Sequence, residues 1–140
     1  MKNRLLLAAV WLYVHHNMST AAIQPRRDAL VAVDERLLRD IVRKIVERFQ
    51  PRRILLFGSR ARGDARPDSD VDLFIEMESA DPPHERKCKI RALFPDRRWG
   101  LDLVVYTPAE VAKYRPMRGL LLSMIEGGGK LLYEQGSSRG

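Results

Sequence analysis

The sequence is poor in the groups that would make it a disulfide scaffold, a zinc module or a membrane span. Its single cysteine, Cys88, cannot close an intramolecular disulfide. The three histidines are scattered, and with Cys88 they supply no spacing that a zinc site uses. The apolar run Leu5–Val14 is ten residues long, well short of the ~20 needed to cross a bilayer. Aromatic residues make up only 7% of the chain. They are not interleaved with the basic ones, which counts against a generic nucleic-acid surface that stacks bases. What is present suits one folded domain: 140 residues, 45% hydrophobic and 31% charged. The 25 basic and 18 acidic side chains give a net charge of +7. Such a balance suits an anionic partner (nucleotide, nucleic acid or acidic protein surface), and solubility alone accounts for it equally well.

The first seventeen residues stand apart. Lys2 and Arg4 precede the apolar run, and Ser19-Thr20-Ala21-Ala22 follows it, the outline of a secretory signal peptide. An upstream extension before a start at Met18, or an N-terminal helix packing on a partner, fits the same residues. The rest of the chain stays basic without Lys2 and Arg4, and the chemistry below needs a cellular nucleotide. We therefore expect a dispensable or interacting extension on a cytoplasmic protein with no membrane association. The expected organisation is an extension and linker over residues 1–33, a domain over 34–133 and a flexible tail over 134–140.

From Asp34 the pattern is helical. Leu37, Leu38, Ile41, Val42, Ile45, Val46 and Phe49 form one apolar stripe, with Asp34 as N-cap and Pro51 as stop. Ile54–Phe57 reads as a buried strand ending at Gly58, and residues 58–69 as a loop or short helix. Asp70–Met77 alternates, with Val71, Leu73, Ile75 and Met77 on one face and Asp70, Asp72, Phe74 and Glu76 on the other. A basic helix is expected over His84–Phe94 and a third strand over Leu101–Tyr106. Thr107-Pro108-Ala109-Glu110 has the form of a capping box. A last helix, about Met117–Glu126, should stop at Gly127-Gly128-Gly129, and Leu131–Tyr133 can add a short strand. The order predicts an α/β domain built on a small mixed β-sheet with flanking helices.

Asp70 and Asp72 carry the strongest chemical signal. Residues i and i+2 of a strand share a face, about 6.5–7 Å apart. At roughly 5 Å and an effective dielectric near 20, two carboxylates repel by about 3 kcal/mol. Strand preference spans only ~1 kcal/mol and cannot offset that, whereas a divalent cation reverses its sign. Carboxylate oxygens suit Mg²⁺, which keeps waters and takes substrate phosphates as further ligands. A solvated strand end, with both groups facing water, is the alternative. Gly58-Ser59, at the end of a buried strand, allows close backbone approach and N–H groups that can cradle phosphate, with Arg60, Arg62 and Arg66 nearby.

Several other sites are excluded by spacing. Asp64-Ala65 stand where a P-loop needs Lys and Ser/Thr. An EF-hand from Asp68 would place Leu73 and Ser79 where Gly and Glu are required, and no Gly-x-Ser-x-Gly elbow occurs. Asp102 lies in an otherwise apolar strand. Alone it would be an exposed position on an edge strand. Beside the Asp70–Asp72 pair it would complete an acidic cluster able to hold two cations for phosphoryl-type transfer.

Gly58-Ser59, ten residues, then Asp70-Val71-Asp72-Leu73, with Asp102 on a later strand, resembles the polymerase-β-type nucleotidyltransferase superfamily. The stretch GSRARGDARPDSDVDL is similar to its minimal nucleotidyltransferase branch, and the resemblance covers about residues 34–133. It implies a polymerase-β-like fold. It also implies two Mg²⁺ ions held by Asp70, Asp72 and Asp102, with Asp102 helping to activate the attacking hydroxyl, and ATP held at Gly58 and Ser59. Arg60 and Arg62 are further candidates for the nucleotide. Stand-alone domains of this branch resemble the antitoxin of HEPN/MNT toxin–antitoxin pairs. The resemblance thus implies transfer of AMP from ATP to a tyrosine of a partner HEPN ribonuclease, with no direct nucleic-acid target. The toxin's own Arg-x4-6-His signature is absent from this chain, as a separate partner implies. Two other functions fit the same residues: transfer to a small hydroxylated molecule such as an aminoglycoside, and masking of a toxin without catalysis. The extension before residue 34 is a departure that the family pattern does not explain.

Overall fold

The computed structural model describes residues 33–137; the N-terminal readings and the last residues of the tail fall outside that range. The first helix, α1 (Glu35–Phe49), begins where the Asp34 carboxylate accepts the Leu37 N–H at 2.8 Å. That bond satisfies one of the orphan donors of the first turn. The helix ends at Gln50, held in the left-handed region at φ 48°, and Pro51 follows. Its apolar stripe buries Ile41 and Ile45 completely.

Four strands follow: β1 (Arg53–Phe57), β2 (Val71–Glu76), β3 (Leu101–Tyr106) and β4 (Lys130–Glu134). They lie side by side in the order β3-β2-β1-β4, with β1 antiparallel to β2 and β4, and β2 parallel to β3. The helices between them are α2 (Ser59–Arg62), α3 (Pro83–Arg91), α4 (Pro108–Tyr114) and α5 (Leu121–Gly128). The architecture is thus the expected mixed sheet with flanking helices. Parallel pairing of β2 with β3 needs a long crossover, which α3 and its loops supply.

The alternation of β2 builds two cores rather than a core and a wet face. Val71, Leu73 and Ile75 pack with Ile41 and Ile45 of α1 and Ile90 of α3. On the other face Phe74 is fully buried among Leu55, Val111 of α4, and Leu122 and Ile125 of α5. Every residue of β2 is therefore buried, Asp72 and Glu76 included. Arg86 clamps the second layer to the sheet. It is 5% exposed, forms a two-pronged pair with Glu110 at 2.8 and 3.1 Å, and donates to the carbonyls of Asp81 and Val105. Glu110 also accepts the Thr107 N–H, completing the expected capping box.

Two helices differ from expectation in their boundaries. α3 stops at Arg91, and the chain turns so that Phe94 enters the core rather than ending a helix. α5 starts at Leu121, not Met117, because Gly119 at φ 82° breaks helical continuity just before it. It also runs through Gly127 and Gly128; glycine costs only about 1 kcal/mol in a helix, and the Gly129 N–H still reaches Ile125 O at 2.7 Å.

Candidate active site

The parallel register of β2 and β3 sets Asp72 directly beside Asp102. Paired residues on neighbouring strands project from the same face, about 4.8 Å apart. Asp70 precedes β2 by one residue and joins that face two positions before Asp72. The three acids read from sequence thus come to one end of one sheet face. Asp72 is buried, and Asp70 and Asp102 are half-buried. Asp102 does lie on an edge strand of the described sheet, yet the register puts it on the same face as the other two acids.

Gly58 completes the same end from β1. Phe57 pairs with Asp72, so the next residue turns beside that carboxylate. Its backbone, φ 74° and ψ −154°, lies in a region that only glycine occupies readily. A Cβ there would also collide with the Asp72 carboxylate. Glycine is therefore required twice over, by conformation and by close approach. Ser59 then opens the single turn of α2, closed by Gly63, whose N–H returns to Ser59 O at 3.0 Å.

The two arginines after this turn do different things. Arg60 points back into the loop. Its guanidinium donates to the carbonyl of Ser69 at 3.2 and 2.6 Å, and to those of Pro67 and Val33 at 3.2 Å. In this arrangement Arg60 is the staple that folds the ten-residue spacer and delivers Asp70 to the sheet. Arg62 is exposed and faces Asp64 at 3.5 Å, a surface pair that contributes little to stability and leaves its charge accessible. Arg66 contributes through its backbone, which exchanges hydrogen bonds with Ser69 at 2.8 and 3.0 Å.

Sequence reasoning missed Gly100. It immediately precedes β3, its carbonyl accepts the Val71 N–H at 2.8 Å, and a Cβ on it would overlap the Asp70 carboxylate. A glycine two residues before an acid that is itself expected in the cluster was the available signal. The far end of the same face is closed by structural charges. Arg53 pairs with Glu76 and Glu126, lies over the Phe74 ring, and lines a cleft of about 480 Å³ with Arg115 and Glu134. Burial opposes the Arg53 charge, but Glu76 and Glu126 outweigh it and hold the guanidinium more firmly protonated than usual. Tyr106, on the same face, is pushed up in pKa by burial and by the neighbouring Tyr114 and Glu110.

The donor set suits a hard divalent cation: three carboxylates and no sulfur or imidazole. Among the described residues no three His, Cys, Asp or Glu side chains stand as a metal-holding group. The backbone register sets the acids on one sheet face, and the two glycine gaps leave room for the Asp72 and Asp70 carboxylates.

A sheet of this order, with paired acids beside a glycine-serine turn, is the framework of a nucleotidyl-transfer domain. The family model described as nucleotidyltransferase domain matches residues 38–131, and the chain belongs to that family. The fold is similar to that of a crystal structure from Sulfolobus solfataricus described as a candidate nucleotidyltransferase. The two share 20% identity with a TM-score of 0.51, over 71% of this chain and 79% of that one. Comparison with curated protein sequences finds no match.

Proposed function

We propose that this nucleotidyltransferase is a Mg²⁺-dependent adenylyltransferase that moves AMP from ATP to a tyrosine of a partner HEPN ribonuclease and so acts as its antitoxin in the cytoplasm. The observation that carries the nucleotidyl-transfer part is the register of Asp72 with Asp102, with Asp70 and the Gly58-Ser59 turn at the same end of the sheet. The antitoxin part rests on the resemblance of the segment from Gly58 to Leu73 to the minimal branch of the family. A protein acceptor is favoured by the surface. Among the described residues the exposed large apolar side chains, Met117, Leu120, Leu121, Met124 and Leu131, all fall between residues 117 and 131. Exposed apolar side chains of this size are the kind of surface that receives a partner protein.

In this reading Asp70, Asp72 and Asp102 would hold the Mg²⁺ ions. When bound, these would neutralise the phosphate charge and lower the cost of bringing a hydroxyl oxygen to phosphorus. Gly58 and Ser59 hold the triphosphate by close backbone approach and a hydroxyl donor. Arg62 adds charge at the rim. Asp102 accepts the tyrosine proton as its oxygen bonds to the α-phosphorus. The bond from that phosphorus to the bridging oxygen breaks, and pyrophosphate leaves on the opposite side.

The test is intact-mass spectrometry of the protein incubated with ATP, Mg²⁺ and the product of the gene adjacent to its own. Gain of AMP on the neighbour, lost in Asp70→Ala, is the expected result. A stable complex with no mass gain would favour masking without catalysis. Drug-dependent pyrophosphate release by this protein with no partner protein present would favour a small-molecule acceptor.

A further inference from the structure

The sheet face that carries the acids has a glycine opposite each of two carboxylates. Gly58 leaves room for Asp72 and Gly100 leaves room for Asp70. At Gly58 the missing side chain is inseparable from the positive φ. Gly100 is different: its φ is not in the left-handed region, so any residue could adopt its backbone. Conformation therefore does not explain the glycine there, whereas contact does. An ideal Cβ on Gly100 would overlap the Asp70 Oδ1 and lie 2.7 Å from its Cγ, closer than real Cβ contacts allow.

Relief must come from one side or the other. The Gly100 backbone is held on the sheet by its carbonyl, which accepts the Val71 N–H at 2.8 Å, and by the Val71–Leu101 register that follows. The preceding loop is held as well, with Trp99 packed edge-on against Phe94 at 5.4 Å and the Arg97 guanidinium donating to Phe94 O. The Asp70 carboxylate, the far end of a short side chain, is the part that yields, giving up its present contact as it moves. A methyl at position 100 would thus be tolerated by the fold and would displace the carboxylate.

We propose that Gly100 is a positioning residue for the transfer reaction, its absent Cβ forming the seat of the Asp70 carboxylate. The proposal rests on the reading of Asp70 as a metal-holding group, and it separates two quantities that a purely structural glycine would move together. Gly100→Ala leaves folding intact and takes function away.

The experiment uses the full chain as wild type, Gly100→Ala, Asp70→Ala, the double variant, and Gly127→Ala as a control with open space around its Cβ. Three readouts are taken: the ¹³Cγ resonance of Asp70 by NMR, Mn²⁺ affinity by electron paramagnetic resonance, and the urea midpoint. Gly100→Ala should shift the Asp70 resonance and weaken Mn²⁺ binding by about 10–100-fold, the usual effect of disturbing a group that orients a ligand. Its urea midpoint should stay near wild type. Gly127→Ala should change neither resonance nor affinity. In the Asp70→Ala background Gly100→Ala should alter Mn²⁺ affinity less than about twofold, because no carboxylate remains to displace. An unmoved Asp70 resonance in Gly100→Ala overturns the proposal, as does an equal affinity loss with and without Asp70. Wild-type protein that binds no Mn²⁺ would overturn the metal-site reading instead, and the Asp70 resonance would still decide whether Gly100 seats that carboxylate.

Discussion

Neutralising Asp102 should make the protein more stable and less active at once. Asp72 and Asp102 are paired across neighbouring strands, about 4.8 Å apart at the backbone. Taking the backbone spacing as the charge separation, with an effective dielectric near 20, sets their repulsion at no more than about 3 kcal/mol. Asp102 is half-buried, so water and salt screen part of this, and about 1–2 kcal/mol remains to be recovered. For a domain near this size 1 kcal/mol corresponds to roughly 4–8 °C in Tm. Asp102→Asn should therefore melt several degrees above wild type in EDTA. Mg²⁺ should reverse the order. An ion present at a hundred times its Kd stabilises a folded protein by about 2.7 kcal/mol, and only the wild type holds the full set of acids. Transfer activity should fall by about 10²–10³-fold, the scale of losing one preorganised electrostatic group. Differential scanning fluorimetry in EDTA and in Mg²⁺, beside a pyrophosphate-release assay, reads all three effects. A variant less stable than wild type in EDTA, or one that Mg²⁺ stabilises as much as wild type, would refute the acidic cluster as drawn.

Two further outcomes concern the scaffold. Arg86→Met strips the donors from two carbonyls and leaves Glu110 without its two-pronged partner; breaking a fully buried pair costs about 3–5 kcal/mol, and with Glu110 half-buried the loss should fall at the lower end, to be read from urea unfolding. Arg86 also holds the Glu110 carboxyl below the usual carboxylate range. A depressed folded pKa means that stability is present above the unfolded value, about 4.3, and lost as pH falls through the lower folded one. Wild type should accordingly weaken more steeply below pH ~4.3 than Glu110→Gln does. Gly58→Ala combines a forbidden backbone with a collision at Asp72. It should lose about 1–3 kcal/mol in urea unfolding together with all transfer activity, in contrast to the silent folding expected of Gly100→Ala.

Local physics made the elements legible. The α1 stripe, its Asp34 cap, the Thr107 capping box and the Leu101–Tyr106 strand follow from side-chain period and capping chemistry, which act within a few residues. The candidate acids were legible for the same reason: Asp70 and Asp72 on one strand face is a period-two statement, and a repelling pair there calls for a compensating charge. Chain neighbours could not say that Asp102 stands beside Asp72, since that depends on β2 and β3 pairing in parallel through the α3 crossover. Nor could they say that Phe74 faces a second core, because the helices that bury it lie far along the chain. Arg60 reads as a phosphate ligand because it follows a glycine-serine turn; that its guanidinium also meets the carbonyls of Ser69, Pro67 and Val33 depends on the folded loop. Gly100 had no local reason to be glycine; its reason is the Asp70 carboxylate thirty residues earlier. Spacing, periodicity and charge thus determined which residues this protein has to work with. Strand pairing, which joins residues distant along the chain, decided which of them meet.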